Sequence, residues 1–105
     1  MTVQDKIKQQ IAENDIIIYM KGNAELPLCG FSARAVNILK SCGATFATVD
    51  VLQDEEIRQG IKIYSNWPTI PQLYVKGELV GGSDIIAEMF ETGELQQLIS
   101  ATANK

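Results

Sequence analysis

Apolar residues along this chain follow two kinds of spacing, and the changes between them mark out the elements. Val3, Ile7 and Ile11 recur every four residues, which predicts an amphipathic helix over 3–13, with Thr2 and Asp5 suited to a capped start. Ile16-Ile17-Ile18-Tyr19-Met20 is instead a continuous apolar run rich in β-branched residues. Such a run predicts a strand buried on both faces, in a sheet covered by helices. A loop from Lys21 to Leu28 leads to Cys29. Ala33, Val36, Ile38 and Leu39 carry a second helix, closed by Gly43 as its C′ residue. Phe46 to Val51 reads as a second strand. Gln53-Asp54-Glu55-Glu56 opens a third helix, with acids where the macrodipole favours them.

Trp67-Pro68-Thr69-Ile70-Pro71 is a rigid loop, because each proline restricts the residue before it. Leu73-Tyr74-Val75 and Glu78-Leu79-Val80 predict a hairpin across Lys76-Gly77. Gly81-Gly82-Ser83-Asp84 turns into a helix carrying Ile85, Ile86, Met89 and Phe90. Thr92-Gly93 breaks that helix, and Leu95, Leu98 and Ile99 mark a last one, with the tail from Ser100 expected to fray. The order αβαβαββαα predicts an α/β domain, a parallel βαβ unit joined to a hairpin. No repeat, linker or low-complexity segment interrupts it, so one domain is expected over residues 1–105.

Charge narrows the partners. Nine Lys and Arg stand against thirteen Asp and Glu, without a basic run, which argues against nucleic acid. No apolar stretch approaches the ~20 residues of a membrane span, and residues 1–10 hold no signal-peptide core. A reducing, cytoplasmic setting is the expectation. Two cysteines make no disulfide framework. The absence of histidine excludes His-assisted thiol chemistry, catalytic triads and His-ligated metals. Any metal must rely on sulfur or oxygen.

The candidate chemistry centres on Cys29-Gly30-Phe31-Ser32. A C-x-x-C pair can close on itself, whereas a cysteine followed by serine cannot. Cys29 must find its partner elsewhere: glutathione, another protein, a metal or a second copy of the chain. At a helix start, free N–H groups and the macrodipole favour a thiolate, and Lys21 adds positive charge. The competing reading is a buried, inert thiol. Cys42 lies thirteen residues on, near the far end of the same helix. A separation of ~20 Å follows from the helix rise, beyond the ~7 Å reach of a disulfide, so Cys42 is read as a packing residue.

The element order, with CGFS at the first βα turn, resembles the thioredoxin fold and, within it, the monothiol glutaredoxins. The likeness runs from about Ile11 to Ile99. It rests on MKG at 20–22, a five-residue spacer, LCGFS at 28–32, NWPTIPQLYVKGELVGG at 66–82, then SD and GELQQL. The resemblance implies a thioredoxin-like, four-stranded mixed sheet flanked by about five helices. It also implies glutathione binding, a 2Fe-2S cluster held between two subunits, and pairing with BolA-family proteins. Lys21 and Arg58 map to contacts with the glutathione carboxylates. Lys62 shares a helix face with Arg58 at i,i+4 and joins them. Thr69-Ile70-Pro71 maps to a segment with a cis proline, where Ile70 pairs its backbone with the cysteinyl part of glutathione. Ser83 and Asp84, at a helix start, map to the γ-glutamyl end. One departure stands out: many relatives carry cysteine where this chain has Ser83, so a redox switch joining that position to Cys29 is not expected here.

Several of these residues keep a second reading. Arg58 and Lys62 also fit solvated surface charges, and Ser83 with Asp84 an ordinary helix cap. Trp67 suits a partner-facing ring or a core anchor; Phe31 suits a shield for a cluster or packing behind Cys29. Ligand counting sets how the cluster implied by the resemblance would be held. A 2Fe-2S centre ordinarily takes four thiolate-type ligands, and each chain supplies only Cys29. Two chains and two glutathione thiols complete the set in a symmetric homodimer. The function that the resemblance implies is cluster assembly and transfer to apo iron-sulfur proteins. The alternative is a glutathione-dependent thiol–disulfide oxidoreductase using Cys29 as nucleophile, and a third is an interaction module whose cysteine merely packs. In the resemblance, the loop before LCGFS is longer than in the dithiol class, and Ser32 removes the resolving thiol, so weak or absent turnover is expected.

Overall fold

Ile16–Met20 forms a strand, β1, buried along its whole length. The computed structural model describes residues 1–103. In chain order the elements are α1 (Val3–Glu13), β1 (Ile16–Met20), α2 (Gly30–Ser41), β2 (Ala47–Asp50), α3 (Glu55–Ser65), β3 (Gln72–Val75), β4 (Glu78–Gly81), α4 (Ser83–Thr92) and α5 (Glu94–Ala103). The sheet order is β2-β1-β3-β4. Strand β1 pairs parallel with β2 and antiparallel with β3, which continues through the hairpin into β4. This is the four-stranded mixed sheet expected from the sequence, in a thioredoxin-like arrangement with five helices.

The unbroken apolar run of β1 follows from its place between two cores. Ile16, Ile18 and Met20 face one side, where they meet Leu73 and Val75 of β3 and the apolar stripes of α2, α4 and α5. Ile17 and Tyr19 face the other, against Tyr74, Ile7 and Ile11 of α1, and Ile57 and Ile61 of α3. Side chains alternate across a strand, so a strand covered on both faces has no polar position to spare. Full burial of each such side chain contributes about 1.5–3 kcal/mol.

Local signals set the helix ends. Thr2 Oγ1 accepts the Asp5 N–H while Asp5 returns a bond to the Thr2 N–H, a capping box. Asp54 caps α3 through the N–H groups of Glu56 and Ile57. Two boundaries differ from the sequence pattern. Strand β2 covers 47–50 rather than 46–51, because Asp50 starts a turn: its Oδ1 accepts the Leu52 N–H and its carbonyl the Gln53 N–H. Phe46 and Val51 still pack into the cores, and the Val51 N–H still donates to the Met20 carbonyl at 2.9 Å. The tail from Ser100 does not fray: α5 runs on to Ala103. Thr102 is buried and its hydroxyl donates to the Leu98 carbonyl, so the last turn stays anchored behind Ile99. Residues 104–105 of that predicted tail lie outside the described residues. No helix among the described residues is long and apolar enough to cross a membrane.

Candidate functional site

Cys29 is the N-cap of α2, with extended backbone that lets the chain turn into the helix. Its thiol is partly exposed, and its pKa lies below the ordinary 9.0. The largest cause is the Ser32 backbone N–H, one of the unpaired donors of the first helical turn. Burial opposes it, while the Phe31 N–H, the Lys21 charge and the Ser32 hydroxyl add smaller contributions in the same direction. The sulfur makes no formed capping bond; the donors favour the thiolate by pointing at it. Cys42 is the C-cap of the same helix, buried, with its pKa raised by that burial. The two cysteines occupy opposite ends of a twelve-residue helix, and both are free.

The segment after β1 is clamped at three points. The Lys21 N–H donates to Ser32 Oγ at 3.1 Å, the Gly22 N–H to Asp50 Oδ1 at 3.0 Å, and the Leu28 N–H to the Lys21 carbonyl at 2.9 Å. Gly22 has φ +87 and bridges to Pro27, closing a compact loop that delivers Leu28 and Cys29 back beside Lys21. A Cβ at Gly22 would overlap the Leu26 carbonyl and lie 2.7 Å from the Leu28 nitrogen. Only glycine fits there. The loop leaves Leu26, Leu28 and Phe31 exposed around the thiol.

Three more elements complete a cleft of about 430 Å³, a size usual for small-molecule sites. Lys21, Cys29, Arg58, Lys62, Ile70, Ser83 and Asp84, all singled out from the sequence, line it together. Arg58 and Lys62 come from one face of α3. Arg58 makes only a long contact with Glu55, at 4.0 Å, and its buried Nε has no hydrogen-bond partner among the described residues. The Trp67–Pro71 loop supplies the next wall, with the Ile70–Pro71 bond cis as the resemblance implied. Ser83, buried, and Asp84, exposed, open α4 behind Gly82, which is the N-cap and offers no side-chain cap.

In a chain of net charge −4, three of nine basic residues converge on one cleft beside a thiolate-favouring sulfur. That charge pattern suits a small anionic thiol or disulfide with more than one carboxylate. The α4 start adds free N–H groups for an anion. Among the described residues no cluster of three or more His, Cys, Asp or Glu could hold a metal ion, and Cys29 is the cysteine that lines the cleft.

Three polar residues behind the cleft were not distinguished by sequence reasoning. Ser32 counted only as a missing thiol, yet it is fully buried and ties Lys21 to Cys29. Asp50 fixes Gly22 from 28 residues away. Gln72, fully buried in β3, holds the Trp67–Pro71 loop from behind. Its one sequence signal is a polar residue at the head of an apolar strand. Trp67 lines the cleft, with its buried Nε1 unpartnered among the described residues, and Phe31 lies largely exposed at the rim rather than packed behind the thiol.

Comparison with known proteins agrees with this arrangement. The glutaredoxin family profile matches residues 16–80. Glutaredoxin 4 of Escherichia coli K12 is 60% identical over 99% of this chain and 90% of its own length. Reduced apo GrxS14 of poplar superposes with a TM-score of 0.84 at 41% identity, covering 98% of this chain and 94% of that one. A buckwheat glutaredoxin, solved as a glutathione complex, shares the fold at a TM-score of 0.85 but only 20% identity, over 96% of this chain and 90% of its own. Identity along nearly the whole length, the common fold and the lone thiol of CGFS lead to one conclusion: the chain belongs to the glutaredoxin family, in its monothiol branch.

Proposed function

We propose that the cleft binds glutathione, and that two copies of the chain, each contributing Cys29 and one glutathione, share a 2Fe-2S cluster as cargo for apo iron-sulfur proteins. The observation that carries this reading is the convergence of Lys21, Arg58 and Lys62 on the same cleft as the one thiolate-favouring cysteine. Glutathione brings two carboxylates for those cations, an ammonium for Asp84 and a thiol to lie beside Cys29. Ile70 offers a main-chain edge to the peptide, and the α4 start offers Ser83 with the free N–H groups of a helix. The glutathione complex of the buckwheat relative supports the choice of ligand.

The donor set supports a shared cluster. One sulfur per chain falls short of the four ligands a 2Fe-2S centre takes, and Cys42 lies at the wrong end of α2. Cys29 sits at a rim made apolar by Leu26, Leu28 and Phe31, a surface suited to a second copy or a BolA-family partner. Anaerobic reconstitution with iron and sulfide, with and without glutathione, tests the proposal. Visible absorption and size-exclusion chromatography should give a coloured dimer only when glutathione is present. A cluster-loaded monomer, or a holo-dimer free of glutathione, would refute it.

A second reading is favoured by the depressed pKa of Cys29. The thiolate attacks the glutathione sulfur of a glutathionylated protein, releasing that protein's thiol and leaving Cys29 in a mixed disulfide. A second glutathione thiolate then attacks the glutathione sulfur, freeing Cys29 and forming oxidised glutathione. Steady turnover by cluster-free monomer would establish this activity.

A further inference from the structure

We propose that Gln72, which does not itself line the cleft, is a positioning residue for ligand recognition: its side-chain amide grips the Trp67–Pro71 loop from behind and holds Ile70's main chain toward the thiol peptide. The proposal rests on the glutathione reading above.

Every polar group of the Gln72 side chain is committed. Its Nε2 donates to the Trp67 carbonyl and to the Thr69 carbonyl, each at 3.1 Å, and its Oε1 accepts the Tyr74 hydroxyl at 3.1 Å. The residue is 0% exposed, so no water competes for these bonds. Tyr74 cannot easily turn away, because its ring lies edge-on to Tyr19 and Tyr64, with centroids 5.9 and 6.1 Å apart. The loop is also pinned from α3: Ser65 Oγ accepts the Trp67 N–H at 3.1 Å while donating to the Ile61 carbonyl at 2.8 Å. Carbonyls 67 and 69 are thereby turned inward. Ile70, between them and Pro71, uses neither its N–H nor its carbonyl in a backbone hydrogen bond among the described residues, and its residue lines the cleft. An apolar side chain at position 72 would remove the side-chain donor from both inward carbonyls and leave the Tyr74 hydroxyl with Ser65 alone, and buried carbonyls without a donor are rarely tolerated. The loop would then turn to find other donors, and the ligand edge would move with it.

The test separates recognition from thiol chemistry in the wild type, Gln72→Met and Tyr74→Phe. Alkylation of Cys29 by iodoacetamide reads the thiolate alone. Exchange with oxidised glutathione, in which the Cys29 thiolate displaces one glutathione thiolate and keeps the other half as a mixed disulfide, reads thiolate and cleft together. Exchange with hydroxyethyl disulfide is the control without a peptide. Trp67, the chain's one tryptophan, reports loop position by fluorescence, and far-UV circular dichroism reports the fold. Alkylation and the hydroxyethyl exchange should stay within about two-fold of wild type, since Cys29 and its N–H donors are untouched. The glutathione adduct constant should fall about 2- to 10-fold in Tyr74→Phe, the worth of one neutral hydrogen bond, and ~10-fold or more in Gln72→Met. Trp67 emission should shift to the red in both. A folded Gln72→Met with an unchanged adduct constant overturns the proposal, as does a parallel fall in all three reactions, which marks a merely structural role. Should Gln72→Met fail to fold, Tyr74→Phe decides by the same criteria. Wild-type Cys29 reacting no better with oxidised glutathione than with hydroxyethyl disulfide overturns the glutathione reading itself.

Discussion

Replacing Gly22 with alanine should do far more damage than the same change at Gly43, although both glycines have positive φ, +87 and +72. At Gly43 nothing lies within 4 Å of an added Cβ. Only the left-handed backbone is penalised there, by about 1–2 kcal/mol, partly offset by about 0.4–1 kcal/mol from the stiffer unfolded chain. At Gly22 the added Cβ meets the Leu26 carbonyl, the Leu28 nitrogen at 2.7 Å and Leu28 Cγ at 3.0 Å. The first two are backbone atoms held by the loop's own hydrogen bonds, Asn23 N–H to Leu26 carbonyl and Leu28 N–H to Lys21 carbonyl. Overpacking of this kind adds about 1–3 kcal/mol, for a total near 2–4 kcal/mol. A domain of this size loses roughly 4–8 °C per kcal/mol. Gly22→Ala should therefore melt about 10–30 °C below wild type, and Gly43→Ala at most about 13 °C below. The loss should also reach the thiol. Opening the loop pulls Lys21 and Leu28 apart, weakening the bond between Lys21 N–H and Ser32 Oγ that sits under Cys29. Thermal unfolding by circular dichroism, with iodoacetamide alkylation of the folded protein, measures both effects. Equal melting losses for the two variants would refute the argument from the Cβ contacts.

The other predictions concern the cleft. Cys29→Ser should abolish cluster binding and glutathione adduct formation, whereas Cys42→Ser should leave both nearly intact, because Cys42 is buried at the opposite end of α2; iron and acid-labile sulfide per chain, with intact mass, check this. Arg58→Glu should weaken glutathione about 10- to 100-fold, from a lost charge-assisted bond of about 1.5–3 kcal/mol, with little change in melting, since the ion pair of Arg58 among the described residues is a long one, to Glu55 at 4.0 Å; calorimetric titration is the measurement. The alkylation rate of Cys29 should rise with a midpoint below the ordinary thiol value of 9.0, and Ser32→Ala should move that midpoint upward by removing the hydroxyl's share. Because folding lowers this pKa, the associated stability is present above the unfolded thiol's value and is lost as pH falls through the folded value.

Sequence alone determined the elements, because their signals are local. The four-residue spacing of Val3, Ile7 and Ile11, the capping pair Thr2 and Asp5, and the unbroken run Ile16–Met20 each act over one or two turns of chain. CGFS identified the thiol for the same reason: a helix start, a cysteine and a serine are neighbours. Tertiary structure alone decided what depends on partners far along the chain. The Asp50 carboxylate reaches across 28 residues to hold Gly22, and Gln72 is tolerated in a core strand because its amide reaches back to Trp67 and Thr69. The last turn of α5 holds because Ile99 and Thr102 find buried places that composition at the chain end does not announce. The cleft itself is of this kind: β1, α3, the Trp67–Pro71 loop and α4 each bring part of it. Their charges and backbone edges converge because the two apolar cores fix the sheet between the helices, and no local pattern carries that distance.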